Sequence, residues 1–204
     1  MRILMAAAAA LSVSTFALAE EAQAPIETVT IFPPFSDVYA CSEHWEGQLK
    51  YKGDSLGTDC YVTGLVETPS GGAFASAFRS DGLTNEDWFS YGAEVHAPFD
   101  AEIVKIMRND TVNQPGELGK PPATFVIFKN TDGRHVLIAH VTDIIVAEGD
   151  QVVAGQVFAV VGNNGYGRSP HVHIGAWDDK GPLQIRHDLR ARGVIMSDSK
   201  ASEE

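Results

Sequence analysis

Residues 162–177 read GNNGYGRSPHVHIGAW, and they place His171 and His173 one residue apart behind a glycine-rich loop. Successive side chains of a β-strand point to opposite faces of its sheet. If this stretch is a strand, both imidazoles therefore lie on one face. Neutral imidazoles are common metal ligands and general bases, so the pair indicates a candidate functional site.

The flanking sequence predicts more strands of the same kind. Short runs rich in β-branched and aromatic residues are separated by Gly, Pro, Asn and Asp clusters. The runs are CYVTGLVE, AFASAF, AEVHAP, AEIVKIM, ATFVIFKN, HVLIAHV, QVFAVVG and HVHIGAW. Asp132 and Gly133 predict a hairpin between ATFVIFKN and HVLIAHV. No helical periodicity of useful length precedes the last residues, so the predicted fold class is all-β with antiparallel strands.

Four segments are predicted along the chain. Residues 1–19 combine an early Arg, a short apolar run and small residues before Glu20, as in a secretory signal peptide. Residues 20–60 lack periodicity and are predicted to be irregular. Residues 61–187 form the β domain, and residues 188–204 form a polar tail. The mature protein is expected to be exported, periplasmic or secreted, with no membrane span after cleavage.

Composition excludes some partners. The formal net charge is -12, and no cluster of Lys and Arg occurs anywhere in the chain. Nucleic acid is excluded because phosphate binding needs a basic surface. The same charge disfavours a role at an anionic membrane surface.

The two cysteines predict a disulfide. Cys41 and Cys60 are the only pair, and a lone pair in an oxidising compartment is most simply a structural bridge. Their spacing lacks the CxxC pattern typical of redox motifs. We therefore expect a bond that pins the N-terminal segment.

A third histidine joins the candidate site. In RHVLIAHV, strand alternation places His140 on the same face as Val136 and Ile138. The segment VAEGDQVVAGQ follows, and then the loop that leads to His171 and His173. The order and spacing of HVLIAH, VAEGDQVVAGQ and GNNGYGRSPHVHIG resemble the lysostaphin/LytM-like zinc metallopeptidases, and the similarity covers about residues 72–177.

The resemblance implies a twisted antiparallel β-sheet with a groove that binds peptidoglycan crosslinks. It implies one zinc ion held by a histidine, an aspartate and the second histidine of H-x-H. His173 would then be a zinc ligand, and His140 and His171 would act on water and on the tetrahedral intermediate. Zinc suits imidazole ligands and activates water near neutral pH.

The first metal motif of the family, H-x-x-x-D, has no obvious counterpart. Asp87 and Glu86 precede Gly92 at about the position of the family's aspartate, and Asp87 is the predicted ligand. A second alignment places Ser76, in AFASAF, at the carboxylate position. Neither alignment supplies the histidine, so the sequence predicts an incomplete site and weak zinc binding.

Four other histidines remain. His44 is a candidate to complete the site through space, whereas His96 is interpreted as a strand residue. His135 and His187 are interpreted as surface residues.

Three function classes follow from these observations. The first is a zinc endopeptidase acting on cell-wall peptides. The second is a degenerate binding module that recognises peptidoglycan peptides or regulates another cell-wall hydrolase without hydrolysis. The third, a biotinyl or lipoyl carrier suggested by EGDQVVAGQ, is disfavoured because no lysine suitable for modification lies near this turn.

Overall fold

The computed structural model describes residues 25–201 and shows a β protein with one α-helix in that range. The predicted signal peptide lies outside the described residues. The strands are β1 Thr28–Ile31, β2 Tyr39–Glu43, β3 Thr58–Val62, β4 Gly64–Glu67, β5 Ala73–Ser76, β6 Glu94–His96, β7 Ala101–Met107, β8 Phe125–Lys129, β9 His135–Ala139, β10 Val141–Thr142, β11 Gln151–Val152, β12 Val157–Val161, β13 Val172–Trp177 and β14 Gln184–His187. The helix is α1 Leu189–Ala201. The all-β prediction is confirmed.

A seven-stranded sheet forms the framework of the site. Its strand order is β11-β7-β8-β9-β13-β3-β2, and every neighbouring pair is antiparallel. The predicted hairpin between β8 and β9 is present, and Gly133 has the positive φ of 80° that its turn requires. The sheet therefore sets β13 between β9 and β3, the strands that flank the candidate site.

One face of this sheet is the hydrophobic core. Val126, Val136, Ile138 and Ile174 alternate along β8, β9 and β13 and are at most 1% exposed. Phe128, on the same face of β8 as Val126, meets Phe158 edge to face with ring centroids 4.9 Å apart. The registers of these strands are held by this buried face, since a one-residue slip would expose every core side chain.

The N-terminal segment differs from the irregular structure expected over residues 20–60. β1 pairs in parallel with β14, and β2 pairs with β3 at the edge of the large sheet. Apolar side chains of β1, Val29 and Ile31, are each 1% exposed, so burial rather than periodicity organises this short strand. A four-residue strand with two buried side chains is too short for a pattern to be recognised in sequence.

The predicted disulfide lies between β2 and β3. Cys41 is directly opposite Cys60 in the strand register, and their sulfur atoms are bonded. β2 has a partner on one side only in the large sheet. The bond therefore fastens an edge strand to β3.

Two further elements complete the fold. The hairpin of β4 and β5 forms its own two-stranded sheet. The expected polar tail contains helix α1, whose start is capped by Asp188 through bonds from the backbone N–H groups of Arg190 and Ala191. No helix among residues 25–201 is long and apolar enough to cross a membrane.

Candidate metal and catalytic site

His173 lies opposite Asp59 in the pairing of β13 with β3. Directly opposed residues of an antiparallel pair point to the same face, so the carboxylate meets the imidazole. His173 Nδ1 donates to Asp59 Oδ1 at 2.9 Å. On the other side of the ring, His173 Nε2 donates to Asp54 Oδ1 at 3.1 Å.

His44 approaches the same carboxylate from the end of β2. Its backbone N–H bonds to Gly57 O at 2.8 Å, which extends the pairing of β2 with β3 by one residue. Its Nε2 donates to Asp59 Oδ2 at 3.3 Å, and its ring stacks on His173 with centroids 5.2 Å apart. His44, which the sequence offered as a candidate to complete the site, therefore lies beside Asp59 and His173.

The ligand atoms of His44, Asp59 and His173 all lie within 4.8 Å of one another. Zinc holds such ligands at about 2.0–2.2 Å in a tetrahedron, which sets neighbouring ligand atoms about 3.4 Å apart. The observed separations of 2.9 Å and 3.3 Å from Asp59 to the two histidines are close to that value. The donor set and its spacing fit zinc.

Electrostatics in this group of side chains also favour a cation. Burial opposes the charge on His173, but the hydrogen bonds to Asp54 and Asp59 outweigh it and raise the pKa of His173 to about 9. Burial raises the pKa of the Asp59 carboxyl, but the bond from His173 and the charges of the nearby histidines outweigh it and hold this pKa well below its usual range. Asp54 and Asp59 therefore place negative charge beside the His173 ring, and Asp59 stays ionised, which favours a cation at this group.

His140 and His171 lie together beside this group. Their ring centroids are 4.5 Å apart, and the His140 ring is 6.4 Å from that of His173. His171 Nε2 lies 3.7 Å from Asp59 Oδ1. The three histidines predicted from the sequence thus converge on one site.

The reason for the convergence differs from the predicted one. Ile138 is paired with Ile174 on the core face, so simple alternation would place His140 on that face as well. Instead His140 follows the last residue of β9 and has a left-handed backbone with φ of 65°. This conformation, uncommon for a side chain with a Cβ, turns the imidazole to the face of His173.

The backbone determines which ring nitrogens face the site. His140 Nδ1 donates to Asn164 O at 2.7 Å, and His171 Nδ1 donates to Ser169 O at 2.7 Å. Both acceptors are carbonyls, so each Nδ1 carries the proton and each neutral ring has a free lone pair on Nε2. Burial, and then the neighbouring His171, lower the pKa of His140 to about 3, and burial also lowers the pKa of His171.

Aromatic side chains line the site next to His171. Tyr61, on β3, stacks on His171 with centroids 5.1 Å apart. Trp88 lies 6.3 Å from Tyr61, and Phe78 lies 5.2 Å from Trp88. Tyr61 therefore lines the site, and Trp88 and Phe78 extend the aromatic cluster away from His171.

Asp87 is not part of the metal group. Its carboxylate accepts bonds from Ser80 and Thr84 on the exposed loop that carries it, and these bonds lower its pKa. Ser76 bonds to the backbone of Phe78 within its own turn. The alignment around Gly92 misplaced the carboxylate, because the aspartate opposite His173 is Asp59, far upstream in the sequence.

The remaining histidines have structural contacts. His96, on β6, is buried and bonds to Pro33 O, in agreement with its interpretation as a strand residue. His135 stacks on Trp177, and His187 bonds to the hydroxyl of Tyr39. The latter two are half-buried rather than at the surface, because each packs on an aromatic ring.

The sequence of this region matches a known family. Residues 87–185 match the profile of peptidase family M23. The chain contains an M23 peptidase-family domain. The matched range includes His140, His171 and His173 but not His44 or Asp59, which lie upstream of it.

Several solved structures are similar to this chain at low sequence identity. The catalytic domain of lysostaphin from Staphylococcus simulans is 17% identical, with 71% of this chain and 87% of that chain covered and a TM-score of 0.44. The M23 metalloprotease pseudoalterin from the deep sea is 17% identical over 76% and 75% of the two chains, with a TM-score of 0.45. The complex of SpoIIIAH and SpoIIQ matches with 18% identity, 75% and 95% coverage and a TM-score of 0.47. No curated protein sequence matches the chain.

Proposed function

We propose that this protein is an exported, zinc-dependent endopeptidase that acts on cell-wall peptides. Its metal ligands are His44, Asp59 and His173. The observation that carries the proposal is the convergence of these three side chains, within 4.8 Å of one another, beside His140 and His171. Catalytic zinc sites have three protein ligands and one open position. The group therefore has the number and types of ligand that such a site needs.

Zinc in this group would supply a Lewis acid that lowers the pKa of a bound water and polarises the scissile carbonyl. His171 is the residue best placed to act on that water, since its Nε2 is 3.7 Å from Asp59. The carbonyl of Ser169 holds the proton on Nδ1, so Nε2 of His171 would be free to accept a proton from an attacking water. The same nitrogen would then return that proton to the leaving amine.

His140 has the supporting position behind His171. The carbonyl of Asn164 orients its ring, and burial keeps the imidazole neutral, since its pKa is about 3. Its left-handed backbone fixes the ring against His171. In this arrangement His140 and His171 would both form hydrogen bonds with the reacting carbonyl and water.

The proposed substrate and cellular location rest on observations other than the family match. Support for a cell-wall substrate comes from the resemblance of HVLIAH, VAEGDQVVAGQ and GNNGYGRSPHVHIG to peptidases that cut peptidoglycan crosslinks. The aromatic wall of Tyr61 and Trp88 suits a peptide chain lying beside His171. The pattern of residues 1–19 and the disulfide are consistent with export.

The test compares the wild type with His173→Ala, both purified without chelator or metal-affinity tag. We expect about one zinc per wild-type chain, release of soluble fragments from purified peptidoglycan, and loss of both in the variant. His135→Ala, which removes an imidazole stacked on Trp177, is the matched control and should keep zinc and activity. A wild type that binds no zinc and releases no fragments would contradict the proposal.

A non-catalytic module of the same family is the second candidate. The enclosure of the catalytic pair favours it, because His140 is 7% exposed and His171 is 5% exposed. Such a module would bind peptidoglycan peptides or another cell-wall hydrolase. Stoichiometric zinc without fragment release would support this candidate over the peptidase.

A further inference from the structure

Asp54 lies on a turn that packs directly against β13. The turn is a 3-10 segment, Asp54–Leu56, between Gly53 and Gly57. The backbone N–H of Ala176 bonds to Gly53 O at 3.1 Å, and Gly57 N–H bonds to Asp54 O at 3.1 Å. These bonds fix the turn to the strand that carries His173.

Glycines give the turn the room for this close approach. A Cβ on Gly57 would lie 2.9 Å from Ile174 O and 3.2 Å from Cε1 of His173. A Cβ on Gly175, the residue two after His173, would lie 2.8 Å from Asp54 Oδ1. Gly53 has φ of 88°, which a side chain would strain. The backbone around Asp54 is therefore shaped to bring this carboxylate to His173.

The contact occupies the ring nitrogen that faces away from the metal group. His173 Nε2 donates to Asp54 at 3.1 Å, whereas Nδ1 faces Asp59 at 2.9 Å. With Nε2 committed to Asp54, Nδ1 is the nitrogen free to bind a metal. By contrast, the buried Nδ1 of His44 has no hydrogen-bond partner among the described residues.

We propose that Asp54 is a positioning residue that holds His173 in its metal-binding orientation through the contact of Asp54 Oδ1 with His173 Nε2. The inference rests on the proposed zinc site. A carboxylate that accepts from the outer nitrogen of a ligating histidine fixes its tautomer and ring angle and raises its basicity as a ligand. Residues 45–58, which separate His44 from Asp59, thus supply an outer partner as well as connecting two ligands.

The experiment measures zinc affinity by competition with a chromophoric chelator, together with the visible absorption spectrum of the cobalt-substituted protein. We expect Asp54→Ala to weaken zinc binding by about 10-fold to 100-fold and to change the cobalt spectrum. Asp54→Asn retains an acceptor oxygen at nearly the same volume, so its loss should be smaller. Glu46→Gln removes one exposed acidic charge from the same segment and should leave both readouts unchanged.

Urea unfolding of the chelator-treated proteins separates positioning from folding. A merely structural Asp54 would lower the stability of the metal-free protein and leave the cobalt spectrum of the folded variants unchanged, which would overturn the inference. Zinc affinity of Asp54→Asn and Asp54→Ala equal to that of the wild type would also overturn it, while the proposed function would stand. A wild type that binds neither zinc nor cobalt would refute the proposed function and this inference together.

Discussion

Replacing His44 by alanine tests the ligand that the sequence motif does not reveal. His44 Nε2 lies 3.3 Å from Asp59 and its ring stacks on His173, so its loss removes one donor and leaves the other two in place. Structural zinc sites with four ligands have apparent binding free energies of about 10–16 kcal/mol, or about 2.5–4 kcal/mol for each ligand. His44→Ala should therefore weaken zinc binding by about 100-fold to 1000-fold.

The assay is competition for zinc against a chromophoric chelator, with total zinc per chain measured after gel filtration. Asp87→Ala is the comparison variant, because Asp87 is the ligand that the sequence predicts and its carboxylate instead bonds to Ser80 and Thr84. We expect wild-type affinity for Asp87→Ala. Equal affinity of His44→Ala and wild type, or a large loss in Asp87→Ala, would refute the assignment of His44.

Three other outcomes follow from the structure. Replacing both Cys41 and Cys60 by serine should lower the free energy of unfolding of the metal-free protein, measured in urea, by about 3 kcal/mol. The reason is that the disulfide closes a loop of about twenty residues. A loss under about 1 kcal/mol would argue against a stabilising role of the disulfide. NMR of the chelator-treated protein should show that His140 is still neutral at pH 5, because its pKa is about 3. The unfolded chain protonates this imidazole below about pH 6.5, so the free energy of unfolding should fall as the pH is lowered from there toward 3. A His140 imidazole that titrates near pH 6.5 in the folded protein would contradict this. Gly53→Ala should destabilise the protein by about 1–3 kcal/mol, measured by thermal unfolding, because its φ is 88° and its Cβ would meet the ring of Trp177 at 2.3 Å; an unchanged Tm would contradict the packing of this turn.

The parts of the site that lie close together in sequence were predictable. His171 and His173 share a strand and a face because the side-chain period of a strand is two. The turns before them, and the hairpin at Asp132 and Gly133, carry their own local signals in Gly and Asp. These local patterns were enough to predict the all-β fold and three of the site's histidines.

His140 shows the limit of a periodic pattern. Strand alternation predicted that His140 lies near His171 and His173, which is correct, but the reason was wrong. The strand ends at Ala139, and the left-handed backbone of His140 turns its side chain to the other face of the sheet. A single backbone angle of this kind depends on the surrounding contacts, such as the bond from His140 Nδ1 to Asn164 O. Sequence periodicity carries no information about it.

The amino-acid sequence determined most strands after Cys60 and the histidines of the glycine-rich loop, because each depends on neighbours a few residues away. It determined the disulfide because the chain has only two cysteines. Only the tertiary structure brought the candidate metal ligands together. His44, Asp54 and Asp59 meet His173 across more than a hundred residues of chain, through the antiparallel registers of β2, β3 and β13. Register is set by the burial of entire strand faces, so it cannot be deduced from the spacing of any single motif.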